Sequence, residues 1–148
     1  AGGRGGALAD RGFGLEQVLA FVGGSEYLVL ARPLNPANTG RVGARELRAM
    51  KQSAFLVNIG RGKLIDEPVL IRALQEGWIA GAGLDVFETE PLPADSPLWA
   101  LPNVIITAHY AGASPRYYER AMPIFLDKLQ RYRDGRPVRM PVDKRAGH

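Results

Sequence analysis

Four short apolar runs constrain this chain more than anything else in it: Tyr27–Ala31 (YLVLA), Ala54–Asn58 (AFLVN), Ile79–Asp85 (IAGAGLD) and Asn103–Thr107 (NVIIT). They have strand length and no polar alternation, the pattern of strands buried on both faces. Pro33 and Pro36 end the first run. Helical signals lie before and between the runs. Leu15–Val22 has helical apolar spacing and is stopped by Gly23-Gly24-Ser25; Ala44–Met50 is short and amphipathic. Asp66 is a natural N-cap for a helix through Gln75, with Pro68 in its first turn and Gly77 as the stop. A last helix is expected from Ser114, with Pro115 at its first position, to about Arg133. Its apolar face is Tyr118, Met122, Phe125, Leu126 and Leu129, and Pro123 should kink or split it. Strands alternating with helices predict an α/β fold, a parallel sheet with covered faces and right-handed crossovers.

Composition closes off other classes. The chain has 148 residues, 46% hydrophobic and 23% charged, which suits one globular domain and not a disordered or collagenous chain. No apolar stretch is long enough to span a bilayer, and the opening AGGRGG has no apolar core of a secretory signal. With no Cys there is no disulfide framework and no thiolate metal site or nucleophile; a reducing, cytoplasmic setting is the expectation. The net charge of +4 is all in the C-terminal segment: nine Lys/Arg against four Asp/Glu from Arg116 onward, ten against eleven before it. A solvated helix face and tail account for that excess. No recognisable module interleaves the basic residues with exposed aromatics, so no nucleic-acid partner is expected.

In a parallel α/β sheet, ligands sit beyond the carboxyl ends of the strands. The residues just past the four runs are Arg32-Pro33-Leu34, Ile59-Gly60-Arg61-Gly62, Asp85 through Pro91, and Ala108-His109. A guanidinium, carboxylates and an imidazole should therefore meet on one rim. A lone His is more often structural than catalytic. His109, placed at the end of a buried strand, is suited to exchange a proton near neutrality. A carboxylate beside it would favour the imidazolium and fix the ring tautomer. Glu88 and Glu90 both qualify on spacing. Arg61, between glycines that would let a ligand approach the backbone, offers a planar fork for a carboxylate.

At these residues the chain resembles the nicotinamide-binding domain of the D-isomer-specific 2-hydroxyacid dehydrogenases, which include glyoxylate/hydroxypyruvate reductases, D-3-phosphoglycerate dehydrogenase and formate dehydrogenase. The resemblance spans about residues 15–142. It is carried by AFLVNIGRGKLIDE, GAGLDVFETEPLPADSPLW and LPNVIITAHYAGAS, in that order. The EPLPADSPLW stretch is most similar to the glyoxylate/hydroxypyruvate branch. The resemblance implies that Arg61 orients a 2-keto acid, that Glu90 rather than Glu88 pairs with the imidazole, and that His109 gives the proton to the keto oxygen. It also implies cofactor contacts at Pro33, Asn38, Ile59, Arg61, Asp85 and Gly112, with NAD or NADP as cofactor and no metal. Asp85 would meet the nicotinamide carboxamide. Two positions depart from the family pattern: Ala108 where Pro is usual before the His, and Asn38 where Thr is usual.

The family's G-x-G-x-x-G turn, which cradles a pyrophosphate at a helix N-terminus, is not found. Gly3-x-Gly5 has Leu8 in the third glycine position, Gly12-x-Gly14 has Gln17, and neither follows a strand. The acidic residue for the ribose hydroxyl is missing too. The expectation is a partial Rossmann-type doubly wound sheet lacking its first βαβ unit. Residues 1–14, with six Gly, would be a flexible lead-in; 15–113 the partial dinucleotide-binding domain; and 114–148 a helix and basic tail returning toward an absent substrate domain. In the strand order 3-2-1-4-5-6, Tyr27–Ala31 would be strand 4 with an open edge. That edge should pair with another chain, most simply in a homodimer. The implied parent reduces a small 2-keto acid with NAD(P)H, and this chain alone is expected to be inactive. The competing reading is a non-catalytic binding or regulatory module of the same fold, as in the C-terminal-binding-protein corepressors.

Overall fold

The computed structural model describes residues 9–142, with the Leu15 side chain excepted. A 3-10 turn (Leu15–Gln17) leads into α1 (Val18–Gly24), followed by β1 (Tyr27–Leu30), α2 (Ala44–Ala49) and β2 (Phe55–Asn58). Then come α3 (Glu67–Gln75), β3 (Gly81–Leu84), β4 (Val104–Ile106) and α4 (Tyr117–Arg133). The four strands form one parallel sheet in the order β1-β2-β3-β4. Leu28, Leu56, Ala82 and Val104 lie side by side across it. The ladder runs one residue past the strand ends, with Ile59 N–H donating to Leu30 O, Asp85 N–H to Asn58 O and Thr107 N–H to Leu84 O.

The local signals act as expected in α3. Asp66 Oδ1 accepts from Val69 N–H at 3.2 Å, and Leu70, Ala73 and Leu74 are buried. Glycine in β3 has a packing reason: a Cβ on Gly81 would stand 2.6 Å from the Asn103 carbonyl oxygen. Leu28, Leu47, Leu56, Leu70, Ile79, Leu84 and Leu98 are among the core residues.

Two expectations are corrected. The strands are not buried on both faces. Leu28 and Leu56 face the helices, but Tyr27 (67% exposed), Val29 (54%) and Ile105 (72%) lie on a bare face. Right-handed crossovers between strands taken in sequential order place the connecting helices on one side, so nothing in α2 or α3 reaches the other. The last helix begins at Tyr117, not Pro115. Ser114 instead forms the preceding turn, its Oγ accepting from Arg116 N–H at 3.1 Å and its carbonyl from Tyr117 N–H at 2.9 Å. Pro123 does not split α4, which is continuous, and no residue of α4 is buried.

β1 stands at the edge of the sheet, and among the described residues no strand pairs with its outer side. Of the expected lead-in, residues 1–8 lie outside the described residues. Phe13 packs on Phe21 of α1, with ring centroids 5.3 Å apart. The tail beyond residue 142 also lies outside the described residues.

Candidate active site

The chemical groups at the carboxyl rim follow three successive strands: Arg61 follows β2, Asp85 and Glu90 follow β3, and His109 follows β4. His109 sits three residues past β4, and its N–H donates to the Asp85 carbonyl at 2.9 Å. Its φ is +53°, a left-handed conformation uncommon for residues other than glycine and found where surrounding contacts enforce it. Those contacts come from Asp85. Its Oδ1 accepts from the Thr107 hydroxyl (2.6 Å) and Tyr110 N–H (3.0 Å), and its Oδ2 from Ala111 N–H (2.9 Å). Burial opposes the charge on Asp85, but these three donors outweigh it and hold the carboxyl below the usual range. A carboxylate has about four acceptor positions, so Oδ2 keeps one for a ligand N–H.

Glu90 meets His109 directly: Oε2 lies 2.6 Å from His109 Nδ1, and Oε1 accepts from Phe87 N–H at 3.0 Å. The Glu90–Pro91 peptide is cis. Burial again opposes ionisation. The hydrogen bonds from the His109 ring and Phe87, with the positive charges of His109 and Arg61, outweigh it and hold the Glu90 carboxyl low. An ionised Glu90 can only accept, so Nδ1 carries a proton and Nε2 is left to face a ligand. At Glu88, equal to Glu90 on spacing, the backbone N–H donates to Glu67 Oε2 at 2.9 Å, and it is the Glu90 carboxylate that meets the imidazole.

Arg61 is exposed beyond β2, with Nη1 donating to the Gly60 carbonyl at 2.6 Å. Asn58, buried, fixes this turn: its Nδ2 donates to the Arg61 carbonyl and its Oδ1 accepts from Gly60 N–H. The glycines flanking Arg61 serve packing rather than ligand approach. A Cβ on Gly62 would stand 1.9 Å from the Phe87 carbonyl, and one on Gly60 would stand 2.8 Å from the Arg32 carbonyl. The close fit at Gly62 brings the Arg61 loop against the loop that carries Glu90.

Ile59, Arg61, Asp85, His109 and Gly112 share one cleft of about 420 Å³. Glu90 joins through His109 and lines a neighbouring cleft. Pro33 and Asn38 lie apart from both, on the loop after β1. Asn38 is buried and spends its amide on that loop, accepting from Asn35 N–H and donating to the Pro33 carbonyl. Thr107, Tyr110 and Tyr117 were not foreseen. Thr107 braces Asp85, and both tyrosines line the cleft. Adjacency to His109 was the one available signal, and it pointed only to Tyr110.

Among the described residues no group of three or more His, Cys, Asp or Glu is arranged to hold a metal, and no helix is long and apolar enough to cross a membrane.

A parallel sheet with an acid–imidazole pair and a guanidinium on its carboxyl rim is the working edge of a dinucleotide-binding domain. Residues 5–111 match the family described as D-isomer specific 2-hydroxyacid dehydrogenase, NAD binding domain, and the chain belongs to that family. It is 44% identical over 111 residues to a glyoxylate reductase of Korarchaeum cryptofilum, covering 75% of this chain and 33% of that protein. A D-isomer specific 2-hydroxyacid dehydrogenase from Xanthobacter autotrophicus Py2, solved with NADPH and MES, superposes with a TM-score of 0.84 at 42% identity. That match covers 91% of this chain and 55% of the other. An NADPH-dependent glyoxylate/hydroxypyruvate reductase from Sinorhizobium meliloti, solved with NADP and sulfate, superposes with a TM-score of 0.81 at 32% identity, covering 90% and 43%. The chain thus spans between a third and just over half of the length of these relatives. The expected cofactor class, NAD or NADP, agrees with the matched domain and with the cofactors in these two structures.

Proposed function

We propose that this chain carries the nicotinamide half-site and the acid–base pair of an NAD(P)-dependent dehydrogenase. The reaction interconverts a small 2-keto acid and its D-2-hydroxy acid, of the glyoxylate or hydroxypyruvate type. The observation that carries this reading is the 2.6 Å contact between His109 Nδ1 and Glu90 Oε2, on the same rim as Arg61.

The nicotinamide end fits the residues present. Asp85 keeps an acceptor position for the carboxamide, Ile59 (44% exposed) supplies an apolar wall, and a Cβ on Gly112 would meet nothing within 4 Å. The phosphate end lacks its cradle, since among residues 9–142 no G-x-G-x-x-G turn joins a strand to a helix; the Gly60-x-Gly62 turn after β2 has Ile65 in the third glycine position. This chain by itself should therefore show little turnover. When bound, NAD(P)H supplies the hydride to the keto carbon. Arg61 holds the substrate carboxylate as a planar fork. Glu90 accepts from His109 Nδ1–H and so holds the ring with Nε2 toward the substrate. His109 Nε2–H donates to the keto oxygen and gives up its proton as that oxygen becomes a hydroxyl. In the reverse direction neutral His109 takes the proton back.

A titration of the 15N-labelled chain with NADH tests the half-site. The amides of Ile59, Asp85, His109 and Gly112 should shift together and saturate. A response confined to other residues, or none, would overturn the reading.

A further inference from the structure

The segment after β2 grips the loop after β3 at a single peptide. A Cβ on Gly62 would overlap the Phe87 carbonyl and the Glu88 nitrogen, so the Phe87–Glu88 peptide lies directly against Gly62. At the start of α3 the half-buried Glu67 accepts the N–H of that same peptide through Oε2, at 2.9 Å. The gripping segment is itself fixed by its backbone. Gly40 N–H donates to the Lys63 carbonyl at 2.8 Å, Val42 N–H to Leu64 O and Asp66 N–H to Val42 O, both at 3.1 Å. The gripped loop, Val86–Glu90, has neither helix nor strand. It carries Glu90, whose Oε1 takes the Phe87 N–H and whose Oε2 meets His109 Nδ1.

We infer that Glu67 is a positioning residue for the acid–base pair: by holding the Glu88 N–H it sets the loop that presents the Glu90 carboxylate to His109. The inference rests on the pairing of Glu90 with His109 given under Proposed function. Both side chains of that pair are partly open to water, 45% exposed at His109 and 34% at Glu90. An open ion pair gains little unless its partners are held in place before they meet. Asp85 does this for His109, through the Tyr110 and Ala111 amides. Glu67 does it for Glu90, through a charge-assisted hydrogen bond two residues earlier in the loop. Glu67 touches neither substrate nor cofactor. It also stands in the first turn of α3, where a negative charge favours the helix whatever it bonds. The two roles differ in what they need: the helix needs charge at that turn, and the grip needs an acceptor that reaches the Glu88 N–H.

The readout is the tautomer of the neutral His109 ring, taken from long-range 15N–1H correlations of the 15N-labelled chain. A His148→Gln background leaves His109 as the sole imidazole. The parent ring should carry its proton on Nδ1. Glu67→Ala removes charge and acceptor together and should lower the Nδ1–H to Nε2–H ratio by about fivefold, the most that one such hydrogen bond can transmit. Glu67→Gln loses the charge but keeps an acceptor of the same reach, and should keep the parent's ratio. Glu67→Asp keeps the charge but falls short of the Glu88 N–H, and should behave as Glu67→Ala. A helix-charge role predicts the reverse order of Gln and Asp, and a role in stability alone moves the thermal melt without moving the tautomer. Any order other than parent with Gln above Asp with Ala overturns the positioning role and leaves the dehydrogenase reading in place. Should Glu67→Ala not fold, the Gln and Asp variants decide by themselves. A parent ring protonated on Nε2 overturns the Glu90–His109 pairing and this inference with it.

Discussion

Asp85 and Glu90 look alike in the sequence, two carboxylates in one loop, and the structure gives them different tasks. Asp85 receives three donors and shapes the turn that carries His109. Its folded-state pKa lies below the ordinary 3.8, so its stabilising contribution is complete above that value and is lost as pH falls through the lower folded value. Asp85→Asn should remove this acid-limb dependence in urea melts at stepped pH and cost about 1–3 kcal/mol at neutral pH. Glu90 receives the imidazole. In a form of the protein that also carries the phosphate cradle, His109→Gln should lower turnover with glyoxylate by about 10²–10⁴ and leave NADH affinity unchanged; a variant turning over like the parent would remove His109 from the acid role. Glu90→Gln should lower turnover with glyoxylate in the same form of the protein and leave NADH affinity unchanged, because the neutral amide no longer makes the charge-assisted bond that orients the His109 ring. His109 and Arg61 were legible from their places after strands. The choice of Glu90 over Glu88 was legible only through the family resemblance, because two residues of spacing do not say which carboxylate a loop turns inward.

Elements were legible where their signals are local. The Asp66 cap, the apolar runs and the glycine stops act within a few residues of where they stand, and α3 and the four strands follow them. Gly62 was misread because its constraint is not local: the atom it avoids is the Phe87 carbonyl, 25 residues along the chain. Gly62→Ala should therefore destabilise the fold by about 3 kcal/mol and shift the His109 resonances, while Gly77→Ala, with open space around it but φ +69°, strains only its own turn. Thermal melts of the two variants, with 15N spectra of the rim, separate the effects. The start of α4 was misplaced for a related reason. Ser114 and Pro115 form a good helix-start sequence, but Tyr110 and Ala111 are tied to Asp85 and Ala113 N–H donates to Tyr110 O, which sets the turn and delays the helix.

The whole molecule leaves much surface uncovered. Among the described residues these surfaces are the bare sheet face, the outer edge of β1 and the apolar stripe of α4, where Tyr118, Phe125 and Leu126 are exposed. Self-association through these surfaces is the expected outcome, and sedimentation should give a mass that rises with concentration; a constant monomer mass across the range would refute it. The sequence by itself determined the strands, the parallel α/β class, the family and the candidates Arg61, Glu90 and His109, because apolar runs, caps and motif order are properties of neighbouring residues. Only the tertiary structure decided that one face of the sheet stays bare, that Gly62 is packed against the Phe87 carbonyl, and that His109 lies between two clefts. Those depend on which backbone atoms, far apart along the chain, come within ångströms of one another.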